Sequence, residues 1–393
     1  MERPITPPWR DTSAGGPARP TTPPPPPYAP GAHTAPNTRT PFPDGPRPDP
    51  DRWSPIVVDR AGPVFEPRPP VGRYFRADTE SDGWSTDHAR LRLASVRGNS
   101  HRYYRKPRQD SAAATFHAAS ETIVFAVADG VSAASLPELG SMLACEAAIG
   151  AVLRQLDAGR GEFDWTAVVR QAAAALTVRA TAILAGAGPG SGAAPAASSP
   201  PPPGHAPAAR PAPHPAAVPE PRIAPAPHLA PAPAAHPAPD PAQVERLLAT
   251  TLVVGTARPV PGGLEVRLSR AGDSGAWVLD LDRAAYRPLF APKYDPDAVI
   301  VSNAVVPLPR CPDPAELGGC LLVAGQVLLV GTDGFGDPLG DGDGQVGALF
   351  ARELAEPPSA AWLAHVLDFS RQTFDDDRTL IAIWPGAGAG RPA

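Results

Sequence analysis

This sequence predicts an α+β domain with mainly antiparallel strands, on three observations. Apolar runs of strand length end on a carboxylate and a glycine at Asp129-Gly130 and Asp333-Gly334, and a third begins just after Asp375-Asp376-Asp377. Two long stretches, from Ser135 to Leu156 and from Thr166 to Leu184, carry apolar residues at helical spacing. The remaining strands follow one another through hairpin turns rather than alternating with helices, which argues against a doubly wound parallel sheet.

The elements follow in order. Residues 1 to about 85 are proline-rich, including Thr22 to Pro27, and read as a disordered or polyproline-like segment that buries too little apolar area to order itself. Order is expected from near Ala89, where Arg90 to Val96 alternates polar and apolar residues as a half-buried strand does; Gly98 and Asn99 break it. A short strand from Ser111 to Phe116 precedes the run Ile123-Val124-Phe125-Ala126-Val127-Ala128, whose unbroken apolar character suits a strand covered on both faces. Ser135, with Glu138 three residues on, reads as the capped start of the first long helix.

From 186 to 242 the chain turns to Ala/Pro low complexity. Carboxylate-bearing strand ends lie on both sides of it, so it reads as an insertion within one domain, 86–385, and not as a linker between two. Beyond it, Thr250 to Thr256 and Leu264 to Leu268 form a hairpin about Gly262-Gly263. A second hairpin is expected from Leu321 to Val330, and a helix from Ser359 to Arg371. The last residues, 386–393, read as a flexible tail.

Composition narrows the function. With 57 prolines and 36 glycines in 393 residues, much of the chain is not packed core. A net charge of -5 offers no basic field for nucleic acid or an anionic membrane surface. Cys145, Cys311 and Cys320 lack metal-ligand spacing; Cys311 and Cys320 could pair, but free thiols in a reducing compartment fit better. The N-terminus has no apolar core of a signal peptide, and no stretch is read as a membrane span. The expectation is a cytoplasmic monomer, with the proline-rich segments available to a proline-motif-binding partner.

Ending an apolar strand on an ionised aspartate gains nothing structural unless a cation meets it. The glycine after each such aspartate permits a sharp turn and leaves its carbonyl as a further oxygen donor. Carboxylates and carbonyls are hard ligands that favour Mg²⁺ or Mn²⁺ over zinc. Two such ions roughly 3.5–4 Å apart can share a water, lower its pKa to give hydroxide and clamp a phosphoryl oxygen. Arginine suits the remaining phosphate charge.

With these residues in view, the ordered part resembles the metal-dependent serine/threonine phosphatases of the protein phosphatase 2C type. The resemblance rests on Arg105…Asp110, Ala128-Asp129-Gly130, Gly272-Asp273-Ser274, Thr332-Asp333-Gly334 and Asp376-Asp377-Arg378-Thr379, in that order, and covers roughly 240 residues, a single-domain size. It implies a four-layer α-β-β-α sandwich with two metals in a cleft between the sheets, hydrolysing phosphoserine and phosphothreonine in proteins through a metal-bridging hydroxide. Asp129 would bridge the ions, with the Gly130 carbonyl on one of them and Asp333 and Asp376 on the other. Asp110 would act through a water, Asp273 at a third, weaker metal site, and Arg105 on the phosphate. The sequence departs from the family pattern at Gln109, where Glu is usual, at Val131, where many eukaryotic members have His, and at Gly275, where Arg is frequent. These departures support an alternative: a weakly active or inactive phosphatase-like module that binds phosphorylated partners, with the proline-rich segments as docking arms. His101 and His117 read as surface or hydrogen-bonded histidines, and Asp337, Asp341 and Asp343 as a solvated flap.

Overall fold

The computed structural model describes residues 53–62, 76–186, 239–290, 306–312 and 314–386. Most of the N-terminal proline-rich segment, nearly all of the Ala/Pro insertion and the last residues of the tail lie outside them. Eleven described strands form two antiparallel sheets. The first contains β1 (Thr79–Ser85), β2 (Ala89–Val96), β7 (Gly275–Asp280), β8 (Ala285–Pro288), β10 (Gln326–Gly331) and β11 (Arg378–Pro385), in the order β1-β2-β11-β10-β7-β8. The second contains β3 (Ser111–His117), β4 (Thr122–Ala128), β5 (Leu252–Val260), β6 (Gly263–Ala271) and β9 (Glu316–Leu322), in the order β3-β4-β5-β6-β9.

Side-chain alternation then builds the layers. Along β4, Ile123, Phe125 and Val127 point into a core shared with Leu91, Leu328, Val330, Ile381 and Ile383 of the other sheet. The residues between them, Val124, Ala126 and Ala128, face α2 (Pro137–Asp157), α3 (Trp165–Gly186) and α4 (Pro241–Leu248) on the outside. On β11 the same division sends Leu380, Ala382 and Trp384 toward α5 (Asp333–Leu339), α6 (Gln345–Glu353) and α7 (Ala360–Leu367). The protein is therefore an α-β-β-α sandwich. Its central strands are apolar at every position because both of their faces are covered, although the sheets are antiparallel.

Several expectations are corrected. Order begins well before residue 85: β1 pairs with β2 along its whole length, and Trp53–Gly62 lies against the domain, with Val57 bridged to Ser370. Gly98-Asn99 does not break the chain into a loop but opens α1 (Asn99–Tyr104). The helix expected from Ser135 starts at Pro137, with Leu136 at the cap and no side-chain cap bond. The insertion is shorter than 186–242, since α4 starts at Pro241 with Asp240 as its cap. Strands β9 and β10 do not form a hairpin; they lie in opposite sheets, so the turn between them crosses the sandwich. Asp337 lies within a short helix, α5, and not in a flap. Finally, α2 and α3 are each long and apolar enough to cross a membrane, which the sequence reading had excluded. Here they pack on each other and on the second sheet, burying Ala144, Cys145, Ala148, Val152, Val168, Ala172 and Leu176. The three thiols are free.

The flanks of the insertion share one core, because Val244 and Leu248 of α4 are buried in the same cluster as Val168 and Leu176 of α3. Replacing residues 190–238 by a Gly/Ser linker of about ten residues is therefore expected to preserve a single cooperative melt. Loss of cooperativity in calorimetry would show that the excised segment is integral to the fold.

Candidate metal centre

Antiparallel register gathers the acidic residues. Ser111 pairs with Ala128, so Asp110 and Asp129, the residues just outside that pair, come side by side. Gly331 pairs with Leu380, which brings Thr332-Asp333 beside the chain that enters β11 from Asp376-Asp377. A hydrogen bond from Thr332 Oγ1 to Asp110 Oδ2, 2.8 Å, joins the two sheets at this end. Thr332 Oγ1 also accepts from the Thr379 N–H at 3.1 Å.

The main chain of Asp129 is fixed from the β5 side. Its N–H donates to Thr251 Oγ1 at 2.9 Å, and its carbonyl accepts from Thr251 N at 2.8 Å and Thr250 Oγ1 at 2.7 Å. Thr251 in turn meets Ser274 Oγ at 2.7 Å, which places the turn carrying Asp273 behind the same strand end. Gly130 follows because α2 starts against it: a Cβ there would lie 2.5 Å from the Pro137 carbonyl oxygen. Close approach, and not only the turn, requires the glycine.

Asp376 and Asp377 point opposite ways. The Asp376 side chain is 56% exposed and lines an open cleft of ≈ 350 Å³ together with Ser100, Asp333, Gly334, Asp337 and Asp375. Asp377 is buried and accepts main-chain N–H groups from Gly98 at 2.7 Å and Gln109 at 2.5 Å. Arg378 anchors the loop before them, donating to the carbonyls of Phe369 (2.6 Å), Leu367 (3.3 Å) and Phe374 while its guanidinium stacks 4.1 Å over the Phe369 ring. Burial lowers its pKa to about 10.

The sequence reading missed two cations here. His101 is buried, not a surface residue, and burial alone would lower its pKa; Asp377 and Asp376 outweigh that and raise it. Lys106 acts electrostatically on both Asp376 and His101. A histidine three places after Gly98, on a six-residue helix, gives no periodic signal by which to find it. His117 does pair as expected, with Ser120 at 2.7 Å and Asp157 at 3.1 Å.

The electrostatics of the cluster decide what can occupy it. Burial raises the Asp110 pKa to about 7, helped by the charge of Asp377 and offset by hydrogen bonds with Asp129 and Thr332. Asp129 is raised well above the ordinary carboxylate range, first by burial and then by Asp110, Asp333 and Asp376. Four carboxylates from separate strand ends thus act on one point with too little positive charge among them. All their donors are hard oxygens, so the residues present fit Mg²⁺ or Mn²⁺.

The other sequence candidates are more peripheral. Arg105 is exposed at the C-cap of α1 in left-handed conformation, φ 59°. Gln109 is buried; its side-chain oxygen accepts from Ser132 Oγ at 3.0 Å, tying down the loop after Gly130. At Gly275 a Cβ would lie 2.3 Å from the Trp277 ring, so the space of a side chain there is already filled.

An α-β-β-α sandwich with an acidic cleft where the strand ends meet is the class of domain this structure defines. The family model described as protein phosphatase 2C matches residues 97–368, more than half of the chain, and the chain belongs to that family. Among solved structures it is similar to a Streptococcus agalactiae (S. agalactiae) serine/threonine phosphatase, at 12% identity over 75% of this chain and 99% of that one, TM-score 0.38. It is also similar to the Mycobacterium smegmatis phosphatase MsPP in complex with cacodylate, at 14% identity, 75% and 97% coverage and TM-score 0.40. The catalytic domain of the phosphatase PstP with two manganese ions gives 15%, 76% and 98%, and 0.39. No curated protein matches the chain.

The raised carboxyl pKa values set a pH signature. In the folded protein without metal, Asp110 keeps its proton up to about 7, whereas the unfolded chain loses it near 3.8. The folded state thus binds more protons across that window, and its stability falls as pH rises through it, by an amount of order a few kcal/mol. The melting temperature of EDTA-treated protein is expected to fall between pH 5 and pH 8, with Mn²⁺ restoring most of the loss at the upper end. A flat profile without metal would show that the carboxyls are not buried together.

Proposed function

We propose that this chain is a Mg²⁺- or Mn²⁺-dependent protein phosphatase that removes phosphate from serine and threonine. The observation that carries the reading is the convergence of Asp110, Asp129, Asp333 and Asp376 at one cleft of a family-typical sandwich, where they raise one another's pKa. Asp129, the Gly130 carbonyl, Asp333 and Asp376 would hold two ions, Asp110 would contact them through water, and Asp273 with Asp333 would serve a third. When bound, a pair of such ions stabilises the phosphoryl oxygens and lowers the pKa of a water between them.

The chain's own groups orient the site. Thr332 holds Asp110, and the two threonines at the start of β5 hold the Asp129 main chain, so neither carboxylate must be reorganised on binding. Asp377 donates nothing to the cleft; it pins Gly98 and Gln109, and with them the approach to Asp110. Arg105, exposed at the end of α1, is placed to meet the phosphate, and its guanidinium is protonated at any working pH. The cleft is open, as recognition of a phosphorylated side chain on a protein surface requires. Cytoplasmic placement, a monomeric state and a proline-motif-binding partner belong to the same proposal.

Manganese-dependent hydrolysis of p-nitrophenyl phosphate and of a phosphothreonine peptide is the direct test. EDTA, Asp129→Asn and Asp333→Asn should each lower turnover by at least about 100-fold while the fold is retained. Intact Mn²⁺ binding without turnover in the unmodified protein would assign it instead as a module that binds phosphorylated partners. Arg105→Ala should raise KM for the peptide by about tenfold with little change in Mn²⁺ affinity. An unchanged KM would remove Arg105 from the phosphate site.

A further inference from the structure

We infer that His101 is a positioning residue for the metal centre, bracketing Asp376 against the buried Asp377 so that Asp376 stays turned into the cleft. The inference rests on the reading of Asp376 as a metal ligand. One imidazole spans two consecutive carboxylates: Nδ1 lies 2.9 Å from Asp377 Oδ1, and Nε2 lies 3.8 Å from Asp376 Oδ1. The first contact is close though off the line of an ideal hydrogen bond; the second is a charge contact. Ligand atoms of these three residues all lie within 4.8 Å of one another.

Nothing else described on this side of the cleft does the same work. Asp377 is already occupied by the Gly98 and Gln109 N–H groups, which fix it as a rigid base. Asp376 receives only the N–H of its own neighbour, Asp377, at 2.9 Å, which constrains its base and leaves its outer rotamers open. The ring of His101 is itself held, because its carbonyl accepts from Arg97 Nη2 at 3.0 Å and from Lys106 N at 2.9 Å. Ser100 N donates to the Asp375 carbonyl at 2.8 Å, so α1 and the ligand-bearing loop are joined at successive residues. An outer residue that orients a ligand carboxylate typically changes metal affinity by 10–100-fold when removed.

Mn²⁺ titration calorimetry on the full-length protein, with melting temperature as the fold control, tests this without reference to turnover. His101→Ala should weaken Mn²⁺ binding by about 10–100-fold. His101→Gln, whose amide nitrogen reaches toward the Nε2 position, should recover most of that loss. His101→Asn, which restores only the contact to Asp377, should keep the melting temperature but not the affinity. Wild-type affinity in His101→Ala, or equal recovery by Asn and Gln, would mark the histidine as packing alone and overturn the inference. Should the alanine variant not fold, the Asn and Gln pair still decides the matter. No Mn²⁺ binding by the unmodified protein would overturn the metal centre itself and this inference with it, a result separable from unchanged affinity in the variants.

Discussion

Everything in this fold answers to the repulsion among carboxylates brought to one end of two sheets. Two unit charges 4 Å apart in a partly solvated protein site repel by roughly 4 kcal/mol, and here four such groups act on Asp129's surroundings, with Asp377 just behind. No local interaction in the cluster offsets that. The opposing force is remote and apolar: the residues between the sheets and beneath both helical layers lock the strands in register, so their ends have nowhere else to go. Stability is generated along the strands and spent at their tips.

The polar groups around the cluster serve direction more than strength. Thr332 reaches Asp110 across the gap between sheets, and Thr250 and Thr251 grip the Asp129 main chain, so each carboxylate is aimed by a neutral partner that leaves its charge uncancelled. Cations are kept to one side. Arg378 is turned away from the cleft onto carbonyls and the Phe369 ring, while His101 and Lys106 bear on Asp376. Had Arg378 entered the cleft, it would have neutralised the charge that a hard cation must find. The arrangement preserves an acidic opening while restraining what surrounds it.

How much of this was legible in the sequence depends on how each element is stabilised. The strands ending or starting at Asp129, Asp333 and Asp376 were legible because covering both faces of a strand writes an unbroken apolar run. The outer helices α2 and α3 were legible through their spacing. By contrast β1, Thr-Glu-Ser-Asp-Gly-Trp-Ser, is an exposed edge strand held only by its register with β2, and nothing in its composition says strand. Helix α5 carries Pro338 and two glycines and reads as loop, yet Phe335 and Leu339 are fully buried under the first sheet. The crossing from β9 to β10 was misread as a hairpin because a short turn between apolar runs looks the same whether it joins neighbours or spans the sandwich. His101 was invisible for a related reason: its partners are 275 and 276 positions away (376 − 101 and 377 − 101).

The departures from the family pattern are better understood as exchanges of space and charge than as losses. At Gly275 the Trp277 ring fills the volume a side chain would need, and that ring packs edge-on against Phe335 at 5.7 Å, so an arginine there would displace a core contact. Gln109 acts mainly through its backbone, donating to Asp377, and through an amide that holds Ser132. A glutamate at that buried position would set a further negative charge beside Asp377 and Asp110, whose pKa is already pushed to about 7. Each added carboxylate would have to be neutralised by a proton or by a more tightly held cation. A neutral amide keeps the hydrogen bonds and spares the charge, which is the substitution that a cluster so crowded with acid can best accommodate.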